Sequence, residues 1–237
     1  MNNRKYLAFD IETAKILPKD VYDITAHRPL EIACAAAFAS DTEEELTWYG
    51  KTASGSPDAR LSEAESHSLV DDLVRYSSEG YTLVTWNGLS FDFNILAEEP
   101  GAGDQCVELA LSHVDMMFHV VCSQGHYLGL DKAAQGMSLS GKLSDISGAD
   151  APRMWADGEH EKVLACNVQD VRVTAELASV GDREGVLRWI TQRGSQTSMS
   201  LPQGWLSVRE AEQLPKPDSS WMSNPPSRRK ILAWTRK

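Results

Sequence analysis

The sequence predicts an α/β protein built on a mixed sheet, and three observations lead there. Apolar strand-like stretches come early, with short links: residues 6–13 (YLAFDIET), 30–38 (LEIACAAAF) and 46–50 (LTWYG) read as an antiparallel meander. Helical and strand-like patterns then alternate, which favours a sheet flanked by helices. The length, 237 residues, suffices for one well-cored domain with a tail. The expected division is residues 1–180 as that domain and 181–237 as an irregular extension packed on it, its last residues either packed or loose.

The elements follow in order. Residues 15–29 are a loop of mixed polarity and 50–60 a Gly/Ser/Pro loop. Residues 61–78 read as a helix. Ser62 with Glu65 is a capping-box pattern, and Leu69, Leu73 and Tyr76 form an apolar stripe. Residues 81–86 (YTLVTW) suit a fourth strand, broken by Asn87 and Gly88. A helix over 91–98 stops at the Pro/Gly stretch 100–103. Another helix is expected over 104–113, and HVDMM at 113–117 suits either a short strand or a helix start. Residues 130–135 are a short helix candidate and 137–153 are mostly Gly/Ser/Asp loop. Residues 159–179 carry the clearest helical pattern, with Val163, Val168, Val171, Thr174 and Ala178 on its apolar side. Residues 186–193 are expected to add a further helical turn or two. Beyond 194 the chain is rich in Ser, Pro and Trp. Trp205, Trp221 and Trp234 make it too apolar for a free tail, while its end, SRRKILAWTRK, is basic.

Composition excludes some classes. The net charge is −11, which argues against broad, non-specific duplex binding through many phosphate contacts. Cys34, Cys106, Cys122 and Cys166 form no C-x-x-C pair, so a zinc knuckle is not expected. Reduced thiols, no leader pattern and no long apolar run fit a cytoplasmic protein without membrane contact.

The chemistry is concentrated in three stretches. In FDIET, Asp10 and Glu12 are two residues apart and share one face of a strand, while Ile11 faces the other way. At 4 Å two such charges repel by about 1 kcal/mol in water and about 4 near a protein surface. A divalent cation would compensate; a solvated strand end or a helix N-terminus is the alternative. In WNGLSFDFNIL, Asp92 opens a helix just after a strand, with Asn87 nearby, Gly88 able to let backbone approach a ligand, and Phe91 and Phe93 flanking it. A capping role for Asp92, and a core role for the two rings, are the alternatives. In CNVQDVRVTAEL, Asp170 sits mid-helix among apolar residues, where an Asp is unfavourable unless exposed or held for a purpose. His113 and Asp115 are further candidate site groups, and Lys142 and Arg153 candidate phosphate contacts.

Taken in that order, the three stretches resemble the three motifs of the DEDD superfamily of 3′–5′ exonucleases, which have a ribonuclease H-like fold. The resemblance is to stand-alone proteins similar to the exonuclease domain of B-family DNA polymerases, and it covers roughly residues 5–180. It implies a mixed five-stranded sheet flanked by helices. It implies that Asp10, Glu12, Asp92 and Asp170 hold two divalent ions, Mg²⁺ or Mn²⁺. The substrate would be the 3′ end of single-stranded nucleic acid, DNA rather than RNA, with Thr13, Asn87 and Phe91 as substrate contacts. Replication or repair proteins would be partners. One position departs from the pattern. The family has a Tyr four residues before the last Asp, or a His five before it, to orient the attacking water; here Cys166 and Ala165 stand there. The alternatives are therefore a weakened or inactive nucleic-acid-binding module of the same fold, or an exonuclease for oligonucleotides or RNA.

Overall fold

The structure, a computed structural model, describes residues 4–18, 21, 24–100, 102–139 and 148–236. Its centre is β1 (Tyr6–Thr13). β2 (Ile32–Ala39) pairs with β1 antiparallel, and β3 (Glu45–Tyr49) pairs antiparallel with β2. On the other side β4 (Thr82–Thr85) and β5 (Val114–Asp115) add in parallel, so the sheet order is β3-β2-β1-β4-β5. This is the mixed five-stranded sheet expected from the sequence.

Alternation along β1 sorts its side chains into two cores. Leu7, Phe9 and Ile11 join the larger one, with Leu69, Leu73 and Tyr76 of α1 (Glu63–Ser78), and residues of α2 (Asp92–Leu96) and α3 (Gly103–Ser112). The Ser62–Glu65 capping box starts α1 as the sequence implies. Tyr6 and Ala8 face the second core, where α5 (Leu130–Gly136) and α7 (His160–Glu184) pack. Asp10 and Glu12 continue that same face. Opposite them across the strand pair lie Ala36 and Cys34, so α7 meets small residues there.

α7 is the longest helix and runs past residue 180. Val163, Asn167, Val171, Thr174 and Ala178 are buried along one stripe at helical spacing. It is tied to β1 at two places. The Tyr6 hydroxyl donates to Asp182 at 2.5 Å, and the Asn167 amide donates to Asp10.

The HVDMM stretch resolves into β5 followed by α4 (Met116–Gln124). At the end of the stretch 137–153, α6 (Ala151–Ala156) begins, and Trp155 is buried. The rest of that stretch from 140 to 147, including Lys142, lies outside the described residues, as does part of the 15–29 loop, whose described portion holds a 3-10 turn at Ile24–His27.

The chain after α7 corrects the expectation of helix at 186–193. β6 (Val186–Ile190) pairs antiparallel with β7 (Gln196–Ser200) as a separate hairpin. Leu187, Trp189 and Met199 bury into the second core, a period of two rather than of 3.6. Nor is the extension irregular throughout. It also contains α8 (Val208–Glu212), α9 (Arg228–Ile231) and a closing 3-10 turn, Ala233–Arg236. Trp205 is 1% exposed; Gly181 of α7 admits it, since a Cβ there would lie 2.8 Å from its indole nitrogen. Trp234 packs partly against the larger core, whereas Trp221 is 69% exposed and does not cover the body. Among the described residues no helix is long and apolar enough to cross a membrane.

Candidate active site

β4 pairs with β1 only over Tyr6–Ala8, so the β4-facing side of β1 is open beyond Ala8. Asp92 fills this gap. It is the first residue of α2, only 2% exposed, and its Oδ1 accepts the Ile11 amide at 2.9 Å. Asp10 precedes Ile11, the residue whose amide Asp92 accepts, so the two acids are neighbours at this junction. Burial pushes the Asp92 pKa up to about 7, and the Asp115 carboxylate adds to this; the amides of Ile11 and of Asp92 itself pull the other way.

Asn167 completes this junction. Its Nδ2 donates to Asp10 Oδ2 at 2.6 Å, and its buried Oδ1 has no hydrogen-bond partner among the described residues. Asp170 lies three residues further along α7 and is half-buried. Glu12 is also half-buried; a Cβ on Gly148 would lie 3.9 Å from its Oε2. Cys34 faces both acids from β2: burial raises its thiol pKa most, and the charges of Glu12 and Asp10 raise it further. The structure thus brings Asp92 to the Ile11 amide beside Asp10, with Glu12 further along the same strand and Asp170 on the helix that contacts Asp10. Among the described residues no three His, Cys, Asp or Glu side chains are arranged as a cation cage.

The residues nevertheless fit a hard divalent cation in their chemistry. The donors are carboxylate oxygens, the type Mg²⁺ and Mn²⁺ prefer. The unpartnered Asn167 Oδ1 beside Asp10 could accept from a water of the ion's hydration shell.

A cleft of about 580 Å³ opens beside the acids, lined by Thr13, Leu17, Ile24, Phe91, Asp150 and Arg153 among others. Thr13 follows Glu12, and Phe91 precedes Asp92, so the cleft begins at both motifs. Phe91 also packs partly on the larger core. Cys166 is half-buried on α7, one turn before Asp170.

Other polar residues of these stretches make bonds within the fold. Asn87 does not line the cleft; it has φ 78°, and its amide donates to Asp115 at 3.1 Å. Asp115 also accepts the amides of Leu89 and Phe118, each at 2.9 Å, so it fixes the loop ahead of Asp92 and caps α4. His113 donates from Nδ1 to Ala110 O at 2.7 Å and accepts the Thr85 hydroxyl at 3.0 Å; burial lowers its pKa to about 4, which keeps it neutral. Gly88 approaches protein rather than ligand. A Cβ there would lie 2.4 Å from Thr85 Oγ1, which accepts its amide. His160 packs edge-on against Trp155.

Fold and acids together define an α/β protein of ribonuclease H type. The chain belongs to the RNase_H superfamily, whose profile matches residues 7–180. No curated protein matches the sequence. Among solved structures, the family B DNA polymerase of the hyperthermophilic archaeon Pyrobaculum calidifontis is similar in fold: TM-score 0.52 and 20% identity over 75% of this chain and 24% of that one. Exonuclease I of E. coli with a dA16 oligonucleotide gives TM-score 0.37 at 15% identity, over 76% of this chain and 41% of that one. Exonuclease I of Methylocaldum szegediense gives TM-score 0.34 at 17%, over 76% and 40%. The last two are too loose to argue from. This chain spans about a quarter of the polymerase and about two-fifths of each exonuclease.

Proposed function

We propose that the protein is a metal-dependent 3′–5′ exonuclease that shortens single-stranded DNA from its 3′ end. One observation carries this reading: Asp92 accepts the Ile11 amide beside Asp10, so acids from motifs far apart in the chain meet, and their neighbours Thr13 and Phe91 line one cleft. Asp10, Glu12, Asp92 and Asp170 are the residues that would hold two divalent cations. Such ions, when bound, lower the pKa of water and neutralise charge developing on phosphate and on the leaving 3′ oxygen.

The protein's own residues do the rest. A bound cation would require Asp92 as the carboxylate, whereas burial favours its protonated form. Asn167 keeps Asp10 oriented through its 2.6 Å bond. Phe91 offers a ring edge or face to the terminal base, Thr13 a hydroxyl, and Arg153 a cation for phosphate, all from the walls of one cleft. Cys166 stands where the family's water-orienting phenol would be, and its side chain is too short to reach as far. Turnover is therefore expected to be slow. The same substitution favours the second reading, a nucleic-acid-binding module of this fold without catalysis.

The test is degradation of 5′-labelled single-stranded DNA with Mn²⁺ or Mg²⁺, beside RNA, duplex and dinucleotide substrates. Stepwise shortening from the 3′ end, lost in Asp10→Ala and Asp170→Ala proteins that still fold, is expected. Unchanged activity in Asp10→Ala would end the nuclease assignment, and binding without cleavage would favour the second reading.

A further inference from the structure

The loop at residues 87–91, between β4 and α2, delivers Asp92, and it is held at several points. Asn87 and Leu89 donate their amides to Asp115, and Gly88 donates to Thr85. The Leu89 side chain is 0% exposed in the larger core. Its carbonyl is left to find a donor, and among the described residues no backbone amide supplies one. Trp234 does: its Nε1–H donates to Leu89 O at 2.8 Å.

The segment carrying Trp234 is itself fastened down. Leu232 is 0% exposed, and Ile231 and Trp234 pack against the same core. The Arg228 guanidinium donates to the carbonyls of Glu212 at 3.0 Å, Leu214 at 2.5 Å, Pro215 at 2.9 Å and Cys122 at 2.5 Å. Arg236 pairs with Glu212. A half-buried indole is thus presented, on an anchored support, to a carbonyl three residues ahead of Asp92.

We propose that Trp234 is a positioning residue for the acid site: by binding the Leu89 carbonyl it holds the Asp92 loop in place. This rests on the nuclease reading above, because it concerns the aim of a cation-binding carboxylate. The physical reason is that a buried carbonyl without a donor costs about 1–3 kcal/mol. The loop escapes that cost either by keeping Trp234 or by moving toward water. If it moves, Asp92 moves with it.

The experiment compares full-length wild type with Trp234→Phe, which keeps a ring and loses the N–H donor, and with Leu69→Val, a change in the same core made from α1, outside the 87–91 loop and the elements that bear the acids. Amide hydrogen exchange at residues 87–93 and Mn²⁺ binding by electron paramagnetic resonance are read in each. In Trp234→Phe, exchange in the loop is expected to rise about 3- to 10-fold, the loss of one hydrogen bond, with Mn²⁺ binding weakened several-fold. Leu69→Val should alter neither, though it lowers the unfolding temperature. Unchanged loop exchange in Trp234→Phe overturns the proposal. So does faster exchange with unchanged Mn²⁺ affinity, or an equal loss of affinity in Leu69→Val. A nuclease assay of Asp92→Asn is run alongside. If cleavage persists there while the exchange result holds, the nuclease reading fails and the Trp234–Leu89 tie survives it.

Discussion

Asn167 donates to Asp10 across the boundary between α7 and β1, at 2.6 Å. This bond joins the helix that carries the last acid to the strand that carries the first two. Asn167→Ala should therefore cost more than its own hydrogen bond. Removing a donor from a carboxylate costs about 1.5–3 kcal/mol, and activity should drop at least about tenfold because Asp10 loses its orientation. Urea unfolding and steady-state cleavage measure the two effects; Asn167→Asp, which places a further acid beside Asp10, should be worse in both.

Cation binding should depend on pH. Asp92 has its pKa raised to about 7 by burial, and its proton must leave before that carboxyl group can ligate. Mn²⁺ affinity is expected to rise from about pH 6 to about pH 8, with protons released on binding. Calorimetry in buffers of different ionisation enthalpy counts those protons. Asp92→Asn should release fewer and show a flatter profile.

His119 gives a stability signature of its own. Burial lowers its pKa to about 4, against the Glu210 carboxylate, which raises it. Its Nδ1 accepts the Leu206 amide at 3.4 Å, a role only the neutral ring can fill. The folded pKa lies below the unfolded one, near 6.5, so this contribution is complete above about pH 6.5 and is lost as pH falls toward 4. His119→Gln should flatten the fall in denaturation midpoint between about pH 6.5 and 4.

Cys166 can be tested by gain rather than loss. Cys166→Tyr restores a phenol one turn before Asp170, where the family's pattern has it. A positioned group of this kind contributes about 10²–10⁴-fold, so kcat should increase by a substantial part of that range, with KM little changed. A Cys166→Ala variant should cleave at the wild-type rate if the thiol takes no part in orienting water.

Much of this was legible in the sequence where side-chain periodicity and local chemistry agree. Leu7, Phe9 and Ile11 alternate with Asp10 and Glu12, and the structure buries the first set and turns the second toward α7. Ser62 and Glu65 cap α1 as their spacing implies. Residues 186–190 misled because Val186, Leu187, Trp189 and Ile190 also fit a short helical face. Their partner β7, QTSMS, is mostly polar, and it is the pairing across Gly194 that makes a hairpin. Asn167 was hidden for another reason. A single Asn in a helix reads as solvated, and only the docking of α7 on β1 shows it buried against Asp10. The bond from Trp234 to Leu89 spans distant parts of the chain and leaves no local pattern.

The small side chains where β1 and β2 face α7 set a further limit. Ala8 and Ala36 are 0% exposed, and with nothing larger beneath it the helix rests close to the strands. They act as a spacer of minimum thickness between the backbone that bears Asp10 and the one that bears Asp170. Thickening that spacer by two methyl groups, as in Ala36→Val, would prise the two acids apart while leaving each of them chemically intact. Catalytic spacing in this molecule is thus governed by residues that have no chemistry of their own.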